Sequence, residues 1–246
     1  MKKKLIVANW KMNPSTEKEA KELFTKVQNG IKDIKNVEVV ICPPFVYVLC
    51  FKFHVSGLAL GAQNVFYKES GAFTGEISPS QLKDLKVEYV ILGHSEARLY
   101  LNETDEIINK KIKVSLAENL KPILCIGEKE GEDKEKVLEL QIKEGLKEVS
   151  EKDLNNVVIA YEPVWAIGNG KNCSVKETLN STLFIKKIIT DLYSKEIANE
   201  LIILYGGSVN SENSAGYLKN GEVSGLLVGG ASLKPEDFIK IVKSAE

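Results

Sequence analysis

The sequence is short of cysteine and histidine. It holds four cysteines and two histidines: Cys42, Cys50, Cys125, Cys173, His54 and His94. No two cysteines form a Cys-x-x-Cys pair, so zinc-site spacing is missing and no metal is expected. Cys42 and Cys125 lie in or at the end of apolar runs, where a thiol acts as a small core residue. A disulfide framework is not expected, which fits a reducing cytoplasm. Excess charge is missing too. Basic residues number 33 and acidic residues 34, a formal charge of -1. Neither nucleic acid nor an anionic membrane is favoured as a partner. Long apolar runs are also absent. The nearest to one, PFVYVLCFKFHVSGLALG from Pro44, is broken by Lys52, His54 and its glycines, so no membrane span is expected. The basic start MKKKLIVANWK offers only Leu5 to Ala8 as an apolar core. A signal-peptide core needs about 7–15 such residues.

What is present is a repeat of short apolar runs. They are LIVAN from Leu5, VEVVIC from Val37, LALGAQ from Leu58 and EYVILG from Glu88. PILCIG from Pro122, VVIAYE from Val157, LIILYG from Leu201 and GLLVGG from Gly225 follow. Most are rich in Val, Ile and Leu without polar alternation, as in parallel strands covered on both faces. Amphipathic helical patterns lie between them. Thr16 to Ile31 opens on the capping candidates Ser15 and Thr16. Asp105 to Leu116 sets Ile107, Ile108, Ile112 and Leu116 at helical spacing. Lys134 to Val149, Val175 to Tyr193 and Pro235 to Val242 continue the series. Strand then helix, about eight times, predicts a single (β/α)8 barrel domain over residues 1–246. An open doubly wound sheet would carry a glycine fingerprint after an early strand. Here the first run leads into Asn9-Trp10-Lys11, and Gly168-Asn169-Gly170 lacks a third glycine.

In a parallel barrel, chemistry sits where the strands end. Asn9 and Lys11 follow the first run, and His94, Ser95 and Glu96 the fourth. Glu162 follows the sixth, Gly206-Gly207-Ser208 the seventh, and Gly229-Gly230 ends the eighth. The glycines with Ser208 suit an anion cradle, because glycine lets backbone N–H groups approach a phosphate. Two plain tight turns are the alternative. Lys11, His94 and Glu162, with Asn9 nearby, suit proton abstraction next to a carbonyl. Singly, each has a duller reading: a surface lysine, a hydrogen-bonded buried histidine, a rim acid. The stretch YEPVWAIGNGK, Tyr161 to Lys171, sets the acid under an apolar flap with glycines Gly168 and Gly170.

Eight ordered stretches resemble the triosephosphate isomerase family. They are ANWKMN at Ala8–Asn13, GAQNV at Gly61–Val65, GAFTGEISP at Gly71–Pro79 and YVILGHSE at Tyr89–Glu96. PILCIGE at Pro122–Glu128, AYEPVWAIGNGK at Ala160–Lys171, LYGGSVN at Leu204–Asn210 and LLVGGASL at Leu226–Leu233 complete them. The resemblance implies a cofactor-free, cytoplasmic homodimer that interconverts dihydroxyacetone phosphate and glyceraldehyde 3-phosphate. It implies Glu162 as the base and His94 as the neutral electrophile. It also implies Asn9 and Lys11 as substrate contacts, with Glu96 behind them. Gly168, Ser208, Gly229 and Gly230 are the implied phosphate ligands, and Pro163 to Lys171 a lid that shuts out water. This family is itself the standard illustration of a base, a neutral histidine and a closing loop. Thr74, in the GAFTG loop, is implied to reach a partner subunit. Another phosphate-binding barrel and a catalytically inactive binding protein are the rival readings.

The sequence departs from the family pattern in places. HSEAR puts Ala97 where an arginine is usual, and Lys86 stands where glycine is usual and a positive φ is expected. The second helix and the segment after Glu128 are short. The missing arginine would serve Glu76 and Glu103, so a weaker dimer is expected unless Arg98 or a lysine compensates.

Overall fold

A run such as Leu5 to Ala8, apolar at every position, needs protein on both of its faces. The computed structural model describes residues 3–51, 57–168 and 171–246. It gives each run that setting. The strands are β1 (Lys4–Asn9), β2 (Val37–Cys42), β3 (Ala59–Ala62) and β4 (Val87–Leu92). Then come β5 (Lys121–Ile126), β6 (Val158–Tyr161), β7 (Ile202–Tyr205) and β8 (Gly225–Val228). They pair in chain order, all parallel, and β8 closes on β1 with Leu5 opposite Gly225. The fold is a (β/α)8 barrel.

Strand alternation divides the core in two. Leu5, Val7, Val40, Ile91, Ile123 and Leu204 belong to one buried cluster, which fills the barrel. Ile6, Ala8, Ile41, Val90, Leu124 and Ile203 belong to a second, against the helices. This is why the runs show no polar alternation.

Among the described residues the helices are α1 (Glu17–Ile31), α2 (Phe45–Phe51), α3 (Pro79–Asp84), α4 (Ser95–Tyr100) and α5 (Asp105–Ala117). They continue as α6 (Lys134–Gly145), α7 (Glu151–Leu154), α8 (Val175–Leu192), α9 (Lys195–Glu200), α10 (Ser214–Asn220) and α11 (Pro235–Lys243). Thr16 caps α1 with a reciprocal pair. Its hydroxyl accepts from Glu19 N at 3.2 Å, and Glu19 Oε2 accepts from Thr16 N at 3.1 Å. The helical pattern read as far as Val149 stops instead at Gly145. Buried Asn109, on α5, donates to the carbonyls of Gly145 and Lys147 at 2.9 Å each, which replaces the next helical turn. Lys86 has φ 63°, as expected of a position that favours glycine, at a cost of about 1 kcal/mol. The apolar stretch of the second helix forms α2 to Phe51; residues 52–56 lie outside the described residues. No helix among the described residues is long and apolar enough to cross a membrane.

Candidate active site

The strand ends open into a cleft of about 190 Å³. Asn9, Lys11, His94 and Glu162 line one part of it. Gly206, Gly207, Ser208, Gly229 and Gly230 line another, and Ile167 and Gly168 border it from the flap. Glu96 does not line this cleft. It lies in an adjoining hollow with Gln63, Asn64, Ala97, Tyr100 and Leu101, which shares Asn9, Lys11 and His94.

Glu162 is the first residue past β6, and its backbone N–H still donates to Ile126 O at 2.7 Å. The strand therefore fixes where its side chain starts. A Cβ on Gly206 would stand 2.7 Å from Glu162 Cγ, so only glycine there leaves room for the carboxylate. Glu162 Oε1 lies 3.5 Å from His94 Nε2, and its Oε2 is buried with no partner among the described residues. His94 precedes α4 and caps it. Its Nδ1 accepts from Glu96 N at 3.2 Å. An accepting Nδ1 puts the ring proton on Nε2, the nitrogen facing Glu162. The ring can thus offer a hydrogen bond to a substrate oxygen in the cleft.

Lys11 sits at φ 52°. Two hydrogen bonds hold this strained backbone. Asn9 Oδ1 accepts from Lys11 N at 3.0 Å, and Gln63 Nε2 donates to Lys11 O at 2.9 Å. Non-glycine residues kept in the left-handed region cluster at functional sites. The ammonium pairs with Glu96 Oε1 at 2.6 Å, so Glu96 aims the cation from behind.

The flap is tied at its root. Val164–Ala166 forms one 3-10 turn. Val164 N donates to Glu128 O at 2.9 Å, and Trp165 Nε1 donates to Glu128 Oε1 at 2.8 Å. Tyr161 also donates to buried Glu128, at 3.3 Å. Burial raises the pKa of the Tyr161 phenol, which keeps it a donor. Gly168 has φ 72°. Of the implied lid, Asn169 and Gly170 lie outside the described residues.

The family model described as Triosephosphate isomerase matches residues 4–245. The chain belongs to that family. Several relatives named "Triosephosphate isomerase" align over nearly its whole length. One from Clostridium botulinum (strain Langeland) is 46% identical over 248 residues, covering 98% of this chain and 99% of the relative. One from Dictyoglomus thermophilum is 46% identical over 253 residues, covering 99% and 100%. One from Caldanaerobacter subterraneus subsp. tengcongensis is 47% identical over 249 residues, covering 98% and 99%.

Against the family pattern, the region of Ala97 is the notable departure. Arg98 is the chain's sole arginine, and it does not turn to Glu103. It donates to Gly93 O at 2.7 Å, Asp105 Oδ1 at 2.5 Å and Cys125 O at 3.2 Å. Glu103 is served by a lysine instead. Lys111 forms a buried ion pair with its Oε1, which also accepts from Asn64 Nδ2 at 2.8 Å. Glu103 Oε2 has no partner among the described residues. Thr74 and Glu76 lie on an exposed turn, and Thr74 does not line the chain's own cleft.

The sequence reading assigned no supporting role to Gln63 or Glu128, and it named Trp165 only as part of the flap. Gln63, just past β3, obeys the same strand-end rule that exposed the others. Glu128 and Trp165 are 37 positions apart, and no spacing pattern links them.

Proposed function

We propose that the chain interconverts dihydroxyacetone phosphate and D-glyceraldehyde 3-phosphate without a cofactor, in glycolysis and gluconeogenesis. The carrying observation is the Glu162 carboxylate 3.5 Å from the Nε2 of an imidazole whose Nδ1 is an acceptor, in one cleft with a glycine cradle. Glu162 takes a proton from C1 of the ketone. The C–H electron pair becomes the C1–C2 double bond, and the carbonyl π pair moves to O2 as an enediolate. The His94 Nε2–H and the Lys11 ammonium stabilise that oxygen. The ring then relays a proton between O1 and O2, and Glu162 returns its proton to C2. Asn9 and Lys11 contact the substrate. Gly168, Ser208, Gly229 and Gly230 hold its phosphate, and Glu96 supports Lys11. Lid closure strengthens these electrostatics by excluding water, and it protects an intermediate that would otherwise expel phosphate.

The same reading makes residues 1–246 one domain of a cytoplasmic homodimer. Exposed Phe45, Val46, Leu49, Leu99, Tyr100 and Leu101 supply the apolar surface a second copy would cover. Thr74 would then enter the partner's hollow beside Ala97. Among the described residues, no group of three or more His, Cys, Asp or Glu is arranged to hold a metal ion. A coupled assay of glyceraldehyde 3-phosphate isomerisation is the test. Turnover well above the uncatalysed rate is expected, and its absence in the folded protein removes the reading.

A further inference from the structure

Between the flap and α8, the chain passes through Asn172 and Cys173. Cys173 is buried, yet it belongs to no strand or helix. Its backbone polar groups still need partners. Both go to phenols. Cys173 N donates to Tyr205 Oη at 3.1 Å, and Cys173 O accepts from Tyr217 Oη at 2.5 Å. Asn172 Nδ2 donates to the same Tyr217 oxygen at 3.0 Å. The two rings are fully buried and stacked, with centroids 4.2 Å apart and planes at 25°. A phenylalanine at 217 would stack as well. It could not satisfy the Cys173 carbonyl.

The other side of this pair touches the glycine cradle. Tyr205 ends β7, and a Cβ on Gly207 would stand 2.2 Å from its hydroxyl oxygen. Only glycine allows the turn to lie against the phenol. The stacked pair therefore joins the cradle to the return of the flap. Tyr217 itself does not line the cleft.

We propose that Tyr217 is a positioning residue that, with Tyr205, clamps the Cys173 peptide to the Gly206–Ser208 turn and holds the lid's C-terminal end over bound phosphate. The inference rests on the isomerase reading of the cleft. Its physical content is two hydrogen bonds at the Tyr217 hydroxyl, one given to Cys173 O and one received from Asn172. Without the Tyr217 hydroxyl, the carbonyl of Cys173 loses its donor and Asn172 loses its acceptor, while the ring stack stays. Of the two phenol bonds to the Cys173 peptide, only the one to Tyr205 is then left. An opened lid wets the enediolate, which partitions toward phosphate loss.

Tyr217→Phe tests this with three measurements on the full chain. The first is the share of turnovers that end in methylglyoxal and inorganic phosphate. The second is the dissociation rate of 2-phosphoglycolate, a planar carboxylate bearing one phosphate, followed by tryptophan fluorescence. Trp165 sits on the flap's first turn, and Trp10 is buried in the core. The third is the melting temperature of the unliganded protein. Both the elimination share and the dissociation rate should rise about fivefold, as loss of the buried bond to Cys173 O implies, exposed Asn172 turning its amide to water. Wild-type values for both in Tyr217→Phe overturn the clamp, even if the melting temperature falls, because a purely structural tyrosine would give that pattern. A wild type with no isomerase turnover removes the functional reading and the clamp together. An active wild type matched by Tyr217→Phe removes the clamp alone.

Discussion

Two buried carboxylates, Glu162 and Glu103, share an unusual trait and differ in everything around it. Glu162 is 3% exposed and Glu103 8%. Each has an Oε2 without a partner among the described residues. Glu103 Oε1 is saturated: Asn64 and Lys111 both donate to it, and Lys111 also donates to Asn64 Oδ1 at 2.9 Å. A buried cation in direct contact thus compensates its charge. Glu162 Oε1 has the His94 ring at 3.5 Å, longer than an ordinary hydrogen bond. Lys11, the cation of the same cleft, is engaged by Glu96. An orphaned oxygen is therefore no mark of function by itself. What separates the pair is charge left uncompensated beside open space, where a substrate proton can arrive.

The sharpest way to break the comparison is to neutralise the acid proposed as the base. Glu162→Gln keeps shape and removes the proton acceptor. Turnover should fall by about 10²–10⁴-fold, the range for loss of a general base. Folding and binding of phosphate-bearing analogues should survive. The assay for glyceraldehyde 3-phosphate decides it, and a variant within a few-fold of wild type would remove Glu162 from the chemistry.

For Glu103 the expectation reverses. Lys111→Met leaves its charge buried and uncompensated. Breaking such a pair costs about 3–5 kcal/mol, measurable by denaturant unfolding. Turnover per folded molecule should change far less than in Glu162→Gln. Adding Glu103→Gln to Lys111→Met should recover most of the stability, because the stranded charge is gone. A Lys111→Met variant as stable as wild type would mean that Glu103 is already neutral or hydrated.

Of these two acids, only one could be assigned work from the sequence alone. Glu162 follows an apolar run directly, and strand ends are where a barrel presents chemistry. The same rule singled out Asn9, Lys11, His94 and the glycine turns, and the structure brings them to one cleft. The barrel itself was legible because runs like Leu5 to Ala8 are covered on both faces. The ion pair of Glu103 with Lys111 was not. It depends on where side chains of a loop and of α5 meet, and neighbouring lysines look alike in sequence. The same limit hid the bond from Tyr217 to Cys173, 44 positions apart. The early stop of α6 was hidden too, since it depends on Asn109 from another helix. Short helices such as α3, α4 and α7 are too brief for a periodic signal. Lys86 was the opposite case. Resemblance flagged it, and its backbone has the left-handed conformation that glycine would favour.

Ala97 gives the smallest and most discriminating test. Its carbonyl accepts from Glu103 N at 3.3 Å, so the backbones of 97 and 103 meet, and an arginine at 97 is long enough to be tested as a donor to Glu103. Lys111 already neutralises Glu103, so an arginine there would not rescue a bare charge. It would supply a donor to one buried acceptor, worth on the order of 1–3 kcal/mol. Its planar fork could also serve Glu76, exposed on the turn that carries Thr74, if that turn comes from a second copy. Ala97→Arg should therefore raise the melting temperature. It should also tighten the proposed dimer by about tenfold for each 1.4 kcal/mol gained at its interface. The cost is a further cation near Lys111, which trims the gain without reversing it. Sedimentation of wild type and Ala97→Arg over a dilution series, beside thermal melts, separates the two contributions. A higher melting temperature with an unchanged dissociation constant assigns the benefit to Glu103 within one subunit. A tighter dimer assigns it to the partner's Glu76 turn. Equal values of both would mean that Lys111 and Asn64 already make good the missing arginine, and that the orphaned oxygen of Glu103 costs the protein nothing an arginine can recover.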